Sequence, residues 1–326
     1  MEEKLQNLCE KFIANRDTVK RALPFGSMYL PPLCADLYCA AGKDANDGQL
    51  KDCMKIISAN AGLFSYFRGT MKPAYATMLA LSDAPEERIR SAQQNYALLK
   101  RDFWGSEYLA LVSFLLTEHA AEEDVARNAA RGKEIYRLMR KNHPLLTSSE
   151  DSVFAVLMAF SEKTNGQLAD DMETAYAMLK DHISFAGNAL QTVSHVLALS
   201  DRAPKETVQR VVSLYETLRG ANVKYRKDYS LATLAALAVT DADEGELTAR
   251  IAEVYDYLGT QKGYGVFGLG KSERAMHSAM LVSNLYTPGP QLMAAAISGT
   301  LSMIIAQEIM FCAVIAGSAA SSSAGN

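Results

Sequence analysis

Asp151 and His195 are the residues of this chain whose types best suit acid–base chemistry. A carboxylate beside an imidazole orients the ring and shares its proton. Gln191 lies one helical turn before His195 and shares its face. His277 occupies the matching place in a later segment, four residues before Leu281, as His195 stands four before Leu199. Other segments put Thr77, Val112, Val156 and Ala235 there. A position that accepts Val and Ala faces protein, so a hydrogen-bonded core histidine is the preferred reading. Glu107 and Asp151 fall near the starts of their own apolar helices, at almost the same level. If neighbouring segments stack, Asp151, Gln191 and His195 line one groove. They are held as candidates only, and no catalytic residue is assigned.

A second motif is Gly265-Val266-Phe267-Gly268-Leu269-Gly270-Lys271-Ser272, which fits the phosphate-loop pattern GxxxxGK[ST]. That motif works between a buried strand and a helix. Here an amphipathic helix, Ile251 to Leu258, precedes it. A flexible turn with Ser272 capping the next helix is preferred over nucleotide hydrolysis. A loose anion site at that helix start stays open. The acids around His119 read as a solvated turn, and no spacing suits a metal. No cofactor is expected.

These residues are positioned by a repeat. Phe25, Phe67, Phe103, Leu145, Phe185, Tyr225 and Phe267 recur at intervals averaging about 40 residues. Tyr96, Tyr136, Tyr176, Tyr215 and Tyr255 keep the same step, each with Leu or Met three residues later. Each unit reads as a short apolar helix, such as Val153 to Phe160, then a longer amphipathic one. In the latter, Glu206 to Arg219, Val208, Val211, Val212, Tyr215 and Leu218 share a face. Pro85 and Pro204, followed by acids, mark helix starts. The tyrosines read as a repeated packing position between units rather than a ligand ladder.

The predicted fold is therefore all-α, an array of about seven helical hairpins arranged as an α-solenoid or an α/α ring. An open curve is favoured over closure, and no sheet is expected. The predicted organisation is one domain over 1–317, with a cap helix at 1–23, hairpins over 27–286 and an apolar helix at 290–317; residues 318–326 read as a disordered tail. The 292–316 run is long enough to span a bilayer. Gln307 and Glu308 near its middle and its many Ala, Ser and Gly residues favour docking on the domain.

Charge separates by turn type. Turns leading into the long helices are acidic, as at Asp241, Asp243, Glu244 and Glu246; those leading out are basic, as at Lys224, Arg226 and Lys227 or Lys262, Lys271 and Arg274. Helix dipoles account for this locally. A functional reading adds a basic rim that meets an anionic ligand or acidic partner. The formal charge of -4 argues against nucleic acid. Five cysteines without a CxxC suggest buried, reduced thiols, and the acidic start at Met1-Glu2-Glu3-Lys4 lacks the pattern of a signal peptide. A cytoplasmic protein is expected.

Three stretches, Ala61 to Tyr66, Leu145 to Asp151 and Gly187 to Leu197, resemble those of an uncharacterised bacterial family, the domain of unknown function 4003. The likeness runs from the N-terminus to about Tyr286. It implies a bacterial cytosolic protein and draws notice to Asp151, Asn188, Gln191 and His195, without assigning them a role. The expected function is a non-catalytic scaffold that holds a protein or peptide in a concave groove. Asn188, Lys224, Arg226, Lys227, Lys271 and Arg274 are its candidate contacts. An α/α-ring enzyme working near Asp151 and His195 is the alternative.

Overall fold

Alternating helices carry the whole computed structural model, which describes residues 1–23, 27–117, 121–183, 187–265 and 268–286. In chain order the first seven are α1 (Glu3–Ala22), α2 (Leu30–Ala40), α3 (Asp47–Asn60), α4 (Lys72–Ala80), α5 (Pro85–Leu99), α6 (Glu107–Leu116) and α7 (Glu122–Asn142). The rest are α8 (Asp151–Met158), α9 (Asn165–His182), α10 (Gly187–Ala198), α11 (Pro204–Gly220), α12 (Ala232–Ala238), α13 (Glu244–Gly259) and α14 (Lys271–Tyr286). Short 3-10 turns precede α4 (Tyr66–Arg68) and α12 (Tyr229–Leu231). No strand occurs among the described residues; Tyr264 and Leu269 form one isolated bridge. The predicted apolar helix at 290–317 and the tail at 318–326 lie outside the described residues, as do Phe25, Phe185 and Phe267.

Even-numbered helices form the inner layer. Every residue of α8 and α12 is buried, as is α10 from Ala189 to Ala198. Their sequences lack a polar face because they meet protein on all sides. Odd-numbered helices wrap them and bury one stripe each. On α13 the stripe is Leu247, Ile251, Val254, Tyr255 and Leu258, at helical spacing. On α11 it is Val208, Val211, Leu214, Tyr215 and Leu218. Val212, predicted on that face, is only half-buried; Leu214 takes its place. Pro85 and Pro204 occupy the first positions of α5 and α11, where a missing N–H costs nothing.

The array closes on itself. α1 packs on both α3 and α13, and α2 on both α4 and α14, so the first and last hairpins are neighbours. The favoured open curve is thus replaced by a ring of seven hairpins. Phe12 on α1 meets the His277 ring on α14 at 6.2 Å. Arg250 on α13 donates to Glu2 at 2.9 Å, and Asn284 on α14 donates to Asp36 on α2 at 2.9 Å, each across 248 residues of sequence. Closure was hidden in the sequence because each junction curves by a small angle that composition does not encode, and the seam contacts join residues with no local relation.

Two titratable groups sit at this seam. Burial pushes the Asp36 carboxyl up to about 7, against the pull of the Asn284 hydrogen bond. Burial, then the Arg16 guanidinium, pushes His277 down to about 3, so its ring is neutral. Cys9, Cys34 and Cys39 are buried free thiols pushed up to about 12 by the same desolvation, which leaves them protonated and inert.

Because the folded chain keeps the Asp36 proton to a higher pH than the unfolded chain does, stability falls as pH rises from about 4 to about 7. Asp36→Asn should remove that loss. Thermal melts should show the variant more stable than the wild type by about 1–3 kcal/mol near pH 8, with the gain shrinking towards pH 4. An equal effect at both ends would contradict the assignment.

Candidate functional site

The starts of the inner helices converge at one end of the ring. Tyr66 precedes α4; Ser106, Glu107 and Tyr108 open α6; Ser148, Ser149 and Glu150 precede α8; Asn188 begins α10; and Tyr229 precedes α12. Together they line a cavity of about 400 Å³. Since five of the seven inner helices contribute, it lies across the mouth of the ring. Neither Lys nor Arg is among the described residues that line it.

Glu107 is held by a neighbouring unit. The Glu107 carboxylate accepts from the backbone N–H groups of Thr70 and Met71, both at 3.3 Å, and so caps the start of α4. Its backbone oxygen accepts from Tyr75 Oη at 2.9 Å. Gly69 makes this approach possible, since a Cβ there would sit 2.2 Å from Glu107 Oε1. Tyr75 and Phe114 stack at 5.0 Å and lock α4 to α6. The Ser148 hydroxyl donates to the buried Glu150 carboxylate.

The repeating tyrosines brace the same rim. Tyr96 packs on Phe67 at 5.4 Å, Tyr136 on Phe103 at 5.9 Å and Tyr176 on His143 at 4.4 Å. Each therefore covers the turn of the preceding unit. Tyr136 Oη also donates to Ser148 O at 3.1 Å, in the wall of the mouth. Leu99, Met139, Leu179, Leu218 and Leu258, three residues further on, are all buried.

Asp151 and His195 do come together. Asp151 Oδ1 lies 3.2 Å from His195 Nδ1, and both side chains are 2 % exposed. His195 Nδ1 has no hydrogen-bond partner, so the two groups approach without a well-aligned hydrogen bond. Asp151 Oδ2 accepts from Ser148 N at 2.7 Å and fixes the turn in front of it. Gln191 Nε2 donates to Thr147 Oγ1 at 3.0 Å, while its Oε1 is buried without a partner. The trio thus stands behind Ser148 to Glu150 rather than in the open cavity.

The other sequence candidates separate. Asn188 is exposed in the mouth. Lys224, Arg226 and Lys227 are exposed on the turn before α12, and Lys271 is exposed at the start of α14. The Arg274 guanidinium lies on the Tyr255 ring at 3.6 Å, a packed cation rather than a free one. Ser272, predicted as a helix cap, is the second residue of α14 and accepts from Arg226 N at 3.1 Å. Among the described residues no group of three or more His, Cys, Asp and Glu is placed to hold a metal, and no helix is long and apolar enough to cross a membrane.

The family model for proteins of unknown function DUF4003 matches residues 15–310. The chain belongs to the DUF4003 family. The uncharacterized protein YeaA of Bacillus subtilis (strain 168) is 29% identical to this DUF4003 protein over 198 residues, 58% of this chain and 58% of its relative. The match therefore spans less than two thirds of that relative. No solved structure matches the chain.

Sequence reading missed Glu150 and the tyrosines Tyr66, Tyr108 and Tyr229 of this DUF4003 mouth. Their signal was positional, because Tyr66 and Tyr229 open the 3-10 turns before α4 and α12, Glu150 immediately precedes α8 and Tyr108 is the second residue of α6. It also missed the turn tips. Phe64, Trp104 and Leu145 are 97%, 91% and 96% exposed on three successive turns at the mouth end, and Leu63 is 72% exposed.

Two outcomes test this geometry. Gly69→Ala should drive Glu107 off the α4 amides and cost about 1–2 kcal/mol by thermal melting. A double-mutant cycle of Asp151→Asn and His195→Gln should return a coupling of about 1 kcal/mol or more; additive effects would show that the 3.2 Å contact carries no energy.

Proposed function

We propose that this protein is a non-catalytic binding ring of the bacterial cytoplasm whose mouth end docks a protein or peptide partner. The observation that carries the reading is the row of exposed tips. Large apolar side chains scattered singly on a protein surface are normal, but here four of them fall on three consecutive turns at the same end of the ring. The only Trp of the chain is among them. Aromatic anchors of this kind supply most of the energy at protein interfaces.

Charge indicates the partner's character. Lys100, Arg101, Arg140 and Lys141 are exposed on the same turns as Trp104 and Leu145, and Lys224, Arg226 and Lys227 extend the basic rim further round. An acidic segment with apolar side chains complements this face. The cavity between the tips offers Asn188, serine hydroxyls and two carboxylates to a polar or cationic side chain of that partner. Buried, protonated thiols are consistent with a reducing compartment.

The enzyme reading retains one observation, the 3.2 Å approach of Asp151 to His195. Both groups are sealed behind the wall of the mouth, and a general base must reach its substrate proton directly or through one water. Their support of the turn at Ser148 is the role that the contacts favour.

The test is affinity purification from native cytoplasm with the wild type and a Phe64→Ser/Trp104→Ser/Leu145→Ser variant. The exposed sites predict an unchanged melting temperature. At least one protein should co-purify in stoichiometric amount with the wild type and fall by about tenfold or more with the variant. Identical sets would overturn the proposal, and a concentration-dependent dimer lost in the variant would reassign the face to self-association.

A further inference from the structure

The seam where the ring closes holds a second cavity, of about 540 Å³, with the opposite electrostatics. Arg16, Lys20 and Arg21 enter it from the last turns of α1, and Lys262 enters from the connection between α13 and α14. The carboxylate among its lining residues is Asp17. It accepts from Arg16 Nε at 3.0 Å and from Arg16 Nη2 at 2.8 Å. Four cations against one carboxylate leave a formal excess of +3 in one cavity.

Arg16 is the unusual member. It is 6% exposed; its Nη1 is buried without a well-aligned hydrogen bond, and the Tyr264 hydroxyl is the polar group beside the guanidinium. A guanidinium desolvated to this degree normally has all its donors engaged, because each unmet one costs free energy. Its Cζ lies 5.7 Å from the centroid of the Tyr264 ring, within cation–π range. Nη1 points towards Gly263, where an added Cβ would lie 3.7 Å away. Lys20 and Lys262 are exposed and reach the same space. The opposing wall is apolar, with Met28, Pro31, Pro32 and Leu269.

We infer that this seam cavity binds a soluble small molecule that carries a phosphoryl group on a flat, weakly polar body. A phosphoryl dianion matches the charge excess, and guanidinium and ammonium donors make charge-assisted bonds to its oxygens. Met28 offers adaptable apolar surface to the body, with the buried Pro31 and Pro32 behind it. A cleft of this size takes one small ligand, whereas nucleic acid is met by an extended basic stripe. The glycine motif does not act as a phosphate loop here. Among its described residues, the amides of Gly265, Gly268 and Leu269 donate to Leu269 O, Gly265 O and Gly263 O, at 2.9, 3.1 and 2.9 Å, so these three are engaged within the chain. A Cβ at Gly268 would strike Gly263 O at 2.2 Å, which accounts for that glycine without any ligand. Binding is therefore by side chains, with no hydrolysis. Since the ligand touches the first and last hairpins together, it stabilises ring closure by mass action.

The experiment uses the full chain with pyrophosphate, adenosine monophosphate and adenosine as probes, read by calorimetric titration and thermal melts. Pyrophosphate or the monophosphate should bind and raise the melting temperature, and adenosine should bind about tenfold more weakly or not at all. Lys20→Glu/Lys262→Glu, two exposed sites, should keep the ligand-free melting temperature and lose about tenfold or more in affinity. Lys141→Glu, on a distant turn, should bind as the wild type does. Absence of binding by both phosphate probes, equal affinity in the double variant, or binding only to phosphatidate vesicles would each overturn the inference. The partner test on the mouth leaves Lys20 and Lys262 untouched, so the two readings fail separately.

Discussion

The ends of the inner helices set the terms for this structure. A helix leaves unpaired N–H groups at its start and unpaired carbonyls at its end. On a surface helix water meets them, but α8, α10 and α12 are buried along their length, so protein must do so. The partners come largely from neighbouring units. Glu107 on α6 caps α4. At the far end of the ring, Arg131 on α7 donates to Ala159 O at 2.9 Å and Ser161 O at 2.7 Å, and Lys163 donates to Ala198 O at 3.1 Å. Arg210 on α11 donates to Ala242 O at 2.7 Å. Hydrophobic burial presses the two layers together, and these cross-unit caps fix their register.

The same need explains why one end of the ring is polar. Serines, carboxylates and tyrosine hydroxyls gather at the mouth because several helix starts converge there, each requiring acceptors. A cavity rich in such groups is a by-product of closing buried helices into a circle. The seam differs because cations enter it from the C-terminal turns of an outer helix, α1, where lysine and arginine complement the dipole. Two cavities of contrasting character thus follow from which helix ends border them.

The helical hairpins were legible because period and burial coincide. An inner helix such as Val153 to Met158 has no polar face, and its outer neighbour has one narrow stripe. The tyrosine series was legible as packing for the same reason. The approach of Asp151 to His195 was legible as a consequence of stacked units, which puts the start of α8 beside α10. The seam was not. Arg16 and Lys262 lie at opposite ends of the chain, and no pattern in sequence says that a curved array completes its circle. In the acidic turns Lys163 pairs with Asp171 within its own hairpin, and Arg202 reaches Asp241 in the next. A count of charges by turn cannot see the second kind of pairing.

Closure has a geometric consequence for the chain's length. An open stack of hairpins can add or drop one at either end and disturb a single interface. In a circle of seven the turns at the junctions must together complete one revolution, so a missing pair would require the others to bend more sharply. The bonds between Glu2 and Arg250 and between Asp36 and Asn284 would then have to span a gap. The number of hairpins is consequently a property of the whole circle, and its last junction forms only after both ends of the polypeptide are in place.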